Sequence, residues 1–169
     1  MIFYFIAAIT GVFVKIVDEI EDTLEGRFNI KYIFAVLYGL LIGVTISFST
    51  FPTLWFSIIV AQIITGKIDK ISHFIALCVV LIFIIIFGMN NSEFLLPDFL
   101  IILFFAAMDE TNFFDIMYKD FRLWLKMAMF IFGFFVRWDY FIALMSFDIA
   151  YILTQNFFPM HIKKWICRL

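Results

Sequence analysis

Long apolar runs alternate with short polar segments along the whole chain. We predict seven helices, at about 1–17, 31–50, 53–66, 74–89, 97–114, 121–136 and 139–156. Several runs are shorter than the roughly 20 residues that a straight bilayer crossing needs, so either their ends extend into the polar segments or some helices are broken or re-entrant. Pro52 and Pro97 each stand at the start of a run, where proline suits the first helical turn. The pattern predicts an all-α polytopic transmembrane bundle of six or seven spans, forming one domain over residues 1–169.

Composition supports a membrane protein and argues against a soluble one. Hydrophobic residues make up 65% of the chain and the mean hydropathy is +1.07, whereas about half of the residues of a soluble domain are apolar. A soluble fold of this length could not hide so much apolar surface, because a small domain leaves a large share of its surface in water. A bilayer removes that difficulty, so the lipid bilayer is the first predicted partner.

The basic residues predict the orientation in the membrane. With seven spans, the loops that follow odd-numbered helices lie on one side, and that side holds eleven of the twelve Lys and Arg residues; Arg137 alone lies on the other. Basic residues in short loops mark the cytoplasmic side. The opening segment lacks a basic stretch before its apolar core, so we do not interpret it as a cleaved signal peptide. We therefore expect a multi-pass protein of the cell membrane, with its N-terminus outside and its C-terminus in the cytoplasm.

Ten of the fourteen acidic residues lie on the same side as the basic ones. Acidic residues contribute little to orientation, so their clustering needs another explanation. Asp18 and Asp22 are four residues apart, which places them one turn apart on one helix face, with Lys15 close by. Mg²⁺ is held by one or two carboxylates together with waters and phosphate oxygens. These aspartates are candidate metal ligands and Lys15 a candidate phosphate-neutralising residue; the alternative is a solvated helix end.

Two further clusters on that side are candidate metal sites. Asp69 and His73 repeat the four-residue spacing and are a possible additional metal pair, or else ordinary interfacial residues. Asp109 and Asp115 form the third cluster, which also contains Glu110, and Arg122 follows as a second phosphate-neutralising candidate. The alternative for the third cluster is an amphipathic segment that lies on the membrane surface.

Asp148 falls near the middle of the seventh predicted span. A carboxylate inside a membrane is costly and usually has a partner or a function. We predict Lys126 in the sixth span as that partner, with Lys15 as the second choice; Lys126 is also a candidate for neutralising phosphate. The pair would either couple to an ion or fix helix packing.

A faint internal repeat suggests duplication. Val17-Asp18-Glu19 ends the first span and Met108-Asp109-Glu110 lies near the end of the fifth, and each is followed by two closely linked spans. This gives a 3+1+3 plan with parallel repeats, an arrangement that places binding sites at the repeat interface. No zinc-protease, nucleophile-elbow or phosphate-loop motif is present, and the basic residues form no groove for nucleic acid.

The segment from Ala7-Ala8 through Asp18, Asp22 and Gly26-Arg27 resembles the first aspartate-rich motif of the UbiA-type membrane prenyltransferases. In that family an Asn-Asp-x-x-Asp-x-x-x-Asp run ends an early helix, and a second aspartate motif follows four helices later, where this chain has Asp109–Asp115. The resemblance implies an all-helical fold that binds an isoprenyl diphosphate through Mg²⁺, in a cavity open to lipid. Asp18 and Asp22 would match the last two aspartates of the first motif, and Asp109 and Asp115 would serve the second. Val14-Lys15 stands where the family has Asn-Asp.

Three functions are compatible with these observations. The first is a Mg²⁺-dependent, prenyltransferase-like enzyme with a cytosolic-face acidic site that acts on an isoprenyl diphosphate. The second is a small transporter or channel built from parallel repeats, with Asp148 coupled to an ion. The third is a non-catalytic scaffold or subunit, whose acidic rim docks a protein partner.

Overall fold

The computed structural model describes residues 1–23, 29–111 and 123–166. Within these residues the chain forms seven α-helices and a single 3₁₀ turn, with no strand, so the predicted all-α class is confirmed. The helices are α1 (Ile2–Thr23), α2 (Ile30–Phe48), α3 (Pro52–Ile64), α4 (Ile71–Phe87), α5 (Leu96–Glu110), α6 (Leu123–Phe135) and α7 (Trp138–Ile166), and the 3₁₀ turn is Asn91–Glu93.

Most helix boundaries follow the predicted ones. Pro52 is the first residue of α3 and Pro97 the second of α5, where a missing backbone N–H breaks no helical hydrogen bond. Two helices are longer than the apolar runs: α1 continues past residue 17 to Thr23, and α7 continues past residue 156 to Ile166. The extension of α1 carries its acidic residues on a regular helix, so their side chains keep the spacing of helical turns.

The first and last helices are packed side by side and run in the same direction. Tyr4 donates a hydrogen bond to Asp139 near the start of both helices, and Tyr151 donates one to Asp18 farther along. Close approach depends on Gly11, because a Cβ atom there would lie 2.3 Å from the carbonyl oxygen of Phe147. Among the described helices, this parallel pair has the most extensive interface.

The remaining helices complete the bundle around this pair. α2 packs on α1 and α4, α3 on α5 and α2, and α6 on α5 and α7. The end of α1, the α3–α4 linker, the start of α4 and the end of α5 lie around one cavity, and we call this the cavity end. The opposite end, where the α2–α3 and α6–α7 turns meet the 3₁₀ turn, is called the Arg137 end.

The core is centred on α3. Leu54, Trp55 and Ala61 on α3 are buried together with Leu144 and Phe147 on α7, and one continuous apolar cluster joins them to α5 and α6. The outer faces of the bundle are also apolar, because many large side chains are exposed there, including Ile33, Ile82, Ile85, Phe104, Phe134 and Phe135.

Among the described residues, α2 is the one helix that is long and apolar enough, by length and composition, to cross a membrane. Three further helices, α3, α4 and α6, are apolar but shorter. The predicted 3+1+3 repeat stays a prediction.

Candidate functional site

A cavity of about 580 Å³ opens at the cavity end, within the usual volume range of small-molecule sites. Its walls come from α1, α2, α3, α4 and α7, with the α3–α4 linker and the last residue of α5 at its rim. Six of the polar residues from the predicted clusters line it, although they are distant in sequence: Lys15, Asp18, Asp22, Asp69, His73 and Glu110. The structure thus brings the first acidic cluster, the Asp69–His73 segment and Glu110 of the third cluster to one cavity, which the sequence left open.

Asp18 is the centre of a hydrogen-bonded chain that joins four helices. Its Oδ1 lies 3.1 Å from Nε2 of His73 on α4, and its Oδ2 accepts a 2.6 Å hydrogen bond from the hydroxyl of Tyr151 on α7. On the far side of the imidazole, the hydroxyl of Tyr38 on α2 lies 2.7 Å from Nδ1. A neutral His73 that accepts from Tyr38 must carry its proton on Nε2 and donate to Asp18. The chain therefore fixes the rotamers of both Asp18 and His73.

A second buried cluster, one turn farther along α1, joins three of these helices: α1, α2 and α4. Both carboxylate oxygens of Glu21 lie 3.0 Å from Nζ of Lys31, and the fully buried hydroxyl of Ser72 donates a 2.6 Å hydrogen bond to Oε1. Lys31 is only 5% exposed, and a buried charge is tolerated when it is paired and hydrogen-bonded in this way. The sequence analysis did not single out this cluster; Ser72, directly before His73, was the available signal.

Lys15 stands at the edge of the cavity with two partners. Its Nζ lies 2.9 Å from Glu19, one turn along α1, and 5.0 Å from the centre of the Tyr151 ring. Since Tyr151 also bonds Asp18, the three side chains form one connected patch of the cavity wall. The phosphate-neutralising role of Lys15 stays a prediction.

The cavity changes from polar to apolar with depth. On α3 its lining passes from Gln62 near the mouth to Trp55, and on α7 from Tyr151 to Leu144. Seven residues of helix rise about 10 Å, so both walls change character over the same depth. The deeper lining is apolar on every helix that reaches it, with Val14, Ile42, Ile58, Val80 and Phe147. The cavity thus combines a polar mouth with an apolar interior.

Asp69 and Lys70 belong to the mouth of the cavity. The Asp69 side chain is 64% exposed, and its carboxylate lies 3.8 Å from Nζ of Lys70. Such a loose exposed pair contributes little to stability, so both side chains can turn toward a ligand at low cost. Lys67 adds a further positive charge to the rim.

Asp109 does not line the cavity and instead binds the start of α6. Its two carboxylate oxygens accept hydrogen bonds from the backbone N–H groups of Trp124 (3.0 Å) and Leu125 (2.8 Å). These are among the first N–H groups of α6, which lack partners within their own helix. Asp109 therefore caps α6 from the end of α5, and its predicted metal role stays a prediction.

The predicted pairing of Asp148 with Lys126 is confirmed. Oδ2 of Asp148 on α7 lies 3.1 Å from Nζ of Lys126 on α6, with side chains only 7% and 12% exposed. The pair joins the two helices through their interior faces, and its ion-coupling role stays a prediction.

Two of the predicted site residues, Asp115 and Arg122, lie outside the described residues. Within the described ranges, no group of three or more His, Cys, Asp or Glu side chains is arranged to hold a metal ion. Both oxygens of Asp18 are engaged by protein partners, whereas Asp22 is an exposed cavity residue. A cation at this site would therefore depend on ligand oxygens as well as on the protein.

The Arg137 end carries a polar network that the sequence analysis missed. Arg137 binds Glu93 (2.5 Å) and Asp139 (3.1 Å), and Asp139 also accepts hydrogen bonds from Tyr4 and Thr50. Burial lowers the pKa of the Arg137 guanidinium, but hydrogen bonds and charge from Glu93 and Asp139 outweigh that effect and raise the pKa above its usual value. The signal in the sequence was that one basic residue shares this side with Glu93, Asp98 and Asp139.

A buried pair lies beside this network, where the hydroxyl of Tyr140 donates a 3.1 Å hydrogen bond to Asp98. Together these contacts tie the starts of α1, α5 and α7 to the α2–α3 turn. The Arg137 end is thus closed by side-chain contacts, while the opposite end holds the cavity.

No protein-family model, curated protein sequence or solved structure is significantly similar to this chain.

Proposed function

We propose that this chain is a multi-pass membrane protein, with its N-terminus outside and its C-terminus in the cytoplasm. The exposed apolar side chains on the outer faces of α2, α4, α5 and α6 support this proposal, because a large apolar patch on a protein surface marks contact with lipid or with another protein. The distribution of basic residues supports the orientation. The helices that are too short for a full crossing would span the membrane where the bilayer is locally thinner, or with their polar linkers in the lipid headgroup region.

We further propose that the cavity binds a membrane amphiphile with a phosphate or diphosphate head, and that the protein is a Mg²⁺-dependent, prenyltransferase-like enzyme. The single observation that carries this proposal is the change in the cavity lining from charged residues at the mouth to apolar side chains about 10 Å deeper. An anionic head and an apolar tail match the two halves of such a site.

The mouth supplies charges of both signs. Lys15, Lys67 and Lys70 attract phosphate oxygens, while Asp18 and Asp22 attract a divalent cation. Mg²⁺ requires few protein ligands when substrate phosphates and waters complete its coordination, which suits a rim where carboxylates do not close around an ion by themselves. When bound, the cation would stabilise the negative charge of a departing diphosphate. The protein's own part is to hold the head group in place and to keep water from the apolar depth.

The arrangement of α3 and α4 supports entry from the lipid. These consecutive helices both line the cavity, yet α3 packs on α5 and α2 while α4 packs on α2. Apolar side chains near the α3–α4 linker, including Ile64, Ile71 and Phe74, are exposed. An amphiphile in the membrane would slide its tail between the two helices without crossing water.

Binding of geranyl diphosphate to the full chain in lipid nanodiscs tests the proposal. Calorimetric titration should show binding that needs Mg²⁺, and the Asp18→Asn, Asp22→Asn double variant should bind at least ~10-fold more weakly, because two charged contacts are lost. Asp139→Asn is the matched control, since it makes the same change at the Arg137 end. Unchanged affinity in the double variant, or no binding by the unaltered chain, rules the proposal out.

A second function, ion-coupled transport, is favoured by the Lys126–Asp148 pair in the interior of the bundle. It predicts proton movement in proteoliposomes that carry a pH-sensitive dye, and loss of that movement in Asp148→Asn. A chain that neither binds the amphiphile nor moves protons, but copurifies with one defined protein, would instead be a scaffold or subunit.

A further inference from the structure

Trp55, the deepest cavity-lining residue of α3, forms an aromatic pair with Phe147 of α7. The rings of Trp55 and Phe147 meet edge to face with their centres 5.3 Å apart, and the two residues are only 3% and 6% exposed. Both residues line the cavity and both belong to the apolar core. We call this pair the cavity floor.

The α3 segment that carries Trp55 is hydrogen-bonded to the 3₁₀ turn and to α5. Thr53 and Ser57, on either side of Trp55 in α3, are fully buried; Thr53 donates to the carbonyl oxygen of Glu93 (3.3 Å) and Ser57 to that of Phe99 (3.2 Å). These contacts fix the backbone that carries Trp55. Trp55 is therefore held in place on α3, so the cavity cannot deepen along this helix without a change of side chain.

The depth above the floor limits the tail that fits. From Gln62 at the mouth to Trp55 the helix rises about 10 Å. An extended isoprene unit adds about 5 Å, given carbon–carbon bonds near 1.5 Å. The space between the mouth and the floor thus matches about two isoprene units.

The indole of Trp55 contributes its ring but no hydrogen bond to the described structure. Its buried Nε1–H has no hydrogen-bond partner among the described residues, and a buried donor without a partner is destabilising. Phenylalanine at this position would avoid the unpaired donor but would leave a smaller ring. The larger tryptophan ring thus fills space at the deep end of the α3 lining that a phenylalanine ring would leave open.

We propose that Trp55, supported by Phe147, determines the chain length of the amphiphile that the cavity accepts. This inference rests on the proposed function, because it concerns the tail of the same ligand. Tails of up to about two isoprene units lie between the mouth and the floor, and the rest of a longer tail gains no contact inside the bundle.

The test compares dimethylallyl, geranyl and farnesyl diphosphates on the full chain in nanodiscs with Mg²⁺. For the unaltered chain, affinity should rise from the five-carbon to the ten-carbon ligand and then stay level. In Trp55→Ala the fifteen-carbon ligand should bind at least ~10-fold more tightly than the ten-carbon ligand, since each buried methylene group is favourable. Trp55→Phe should give a smaller increase in affinity from the ten-carbon to the fifteen-carbon ligand. Leu77→Ala shortens a side chain in the side wall of the cavity, and it should still bind these two ligands with equal affinity.

The outcomes separate the two proposals. If the unaltered chain binds none of the three ligands, the proposed function is wrong and this inference falls with it. If it binds them and folded Trp55→Ala keeps the level profile, the floor does not set the length. Should Trp55→Ala fail to fold, Trp55→Leu and Phe147→Leu take its place, and a level profile in both overturns the inference.

Discussion

Replacing Gly11 by alanine should destabilise the bundle and loosen the cavity together. The added Cβ would lie 2.3 Å from the carbonyl oxygen of Phe147 and 3.3 Å from the backbone nitrogen of Tyr151. Ordinary carbon–oxygen contacts are near 3.3 Å, so α1 and α7 must separate by about 1 Å. Overpacking of this kind costs about 1–3 kcal/mol, which exceeds the gain of about 0.5–1 kcal/mol from alanine in a helix. The 2.6 Å hydrogen bond between Tyr151 and Asp18 lies on the same interface and should stretch with it.

Thermal unfolding in detergent and Mg²⁺-dependent titration with geranyl diphosphate measure the two effects. Gly133→Ala is the matched control, because its Cβ would meet the Trp138 ring at 2.8 Å, and that ring is 42% exposed and can turn away. We expect Gly11→Ala to unfold at a lower temperature than Gly133→Ala and to bind more weakly. A Gly11→Ala chain as stable as the unaltered protein would contradict the packing of α1 on α7.

Three further substitutions test single contacts. Asp148→Asn should destabilise the fold by about 3 kcal/mol, because it leaves a buried lysine unpaired; the double variant with Lys126→Met should recover most of that loss, and no recovery would argue against the pair. Asp109→Ala should cost about 1 kcal/mol as a lost helix cap, while Asp109→Asn should cost less; equal losses would point away from capping. Arg137→Gln should lower the unfolding temperature, since two charge-assisted hydrogen bonds are lost, yet leave ligand affinity unchanged; a change in affinity would show that the two ends are coupled.

The number and order of the helices were predictable because each is a long apolar run bounded by polar residues or by proline. The pairing of Lys126 with Asp148 was predictable for a related reason, since a charge inside an apolar helix needs a partner and few are available. These predictions use local patterns alone.

The composition of the cavity was predictable only in part. The predicted membrane side of each loop placed Asp18 and His73 on the same surface. Their hydrogen-bond partners Tyr151 and Tyr38 lie in apolar stretches, where nothing in the local sequence indicates such a contact. The cap formed by Asp109 was missed for the same reason, because its partners are backbone groups of the next helix. Contacts of this kind depend on which helix faces which, and that depends on packing across the whole chain.

The parallel pairing of α1 with α7 has a consequence for how the protein is made. The bonds from Tyr151 to Asp18 and from Tyr4 to Asp139 each join residues more than 130 positions apart. During synthesis, the α7-facing surface of α1 stays uncovered until α7 has been made. Contacts between residues so far apart in the sequence form late in folding. A chain that stops before α7 lacks both the Tyr151 side of the cavity and the surface that covers Gly11. The cavity and the completed bundle therefore arise in the same final step, so a chain that lacks α7 lacks a finished cavity.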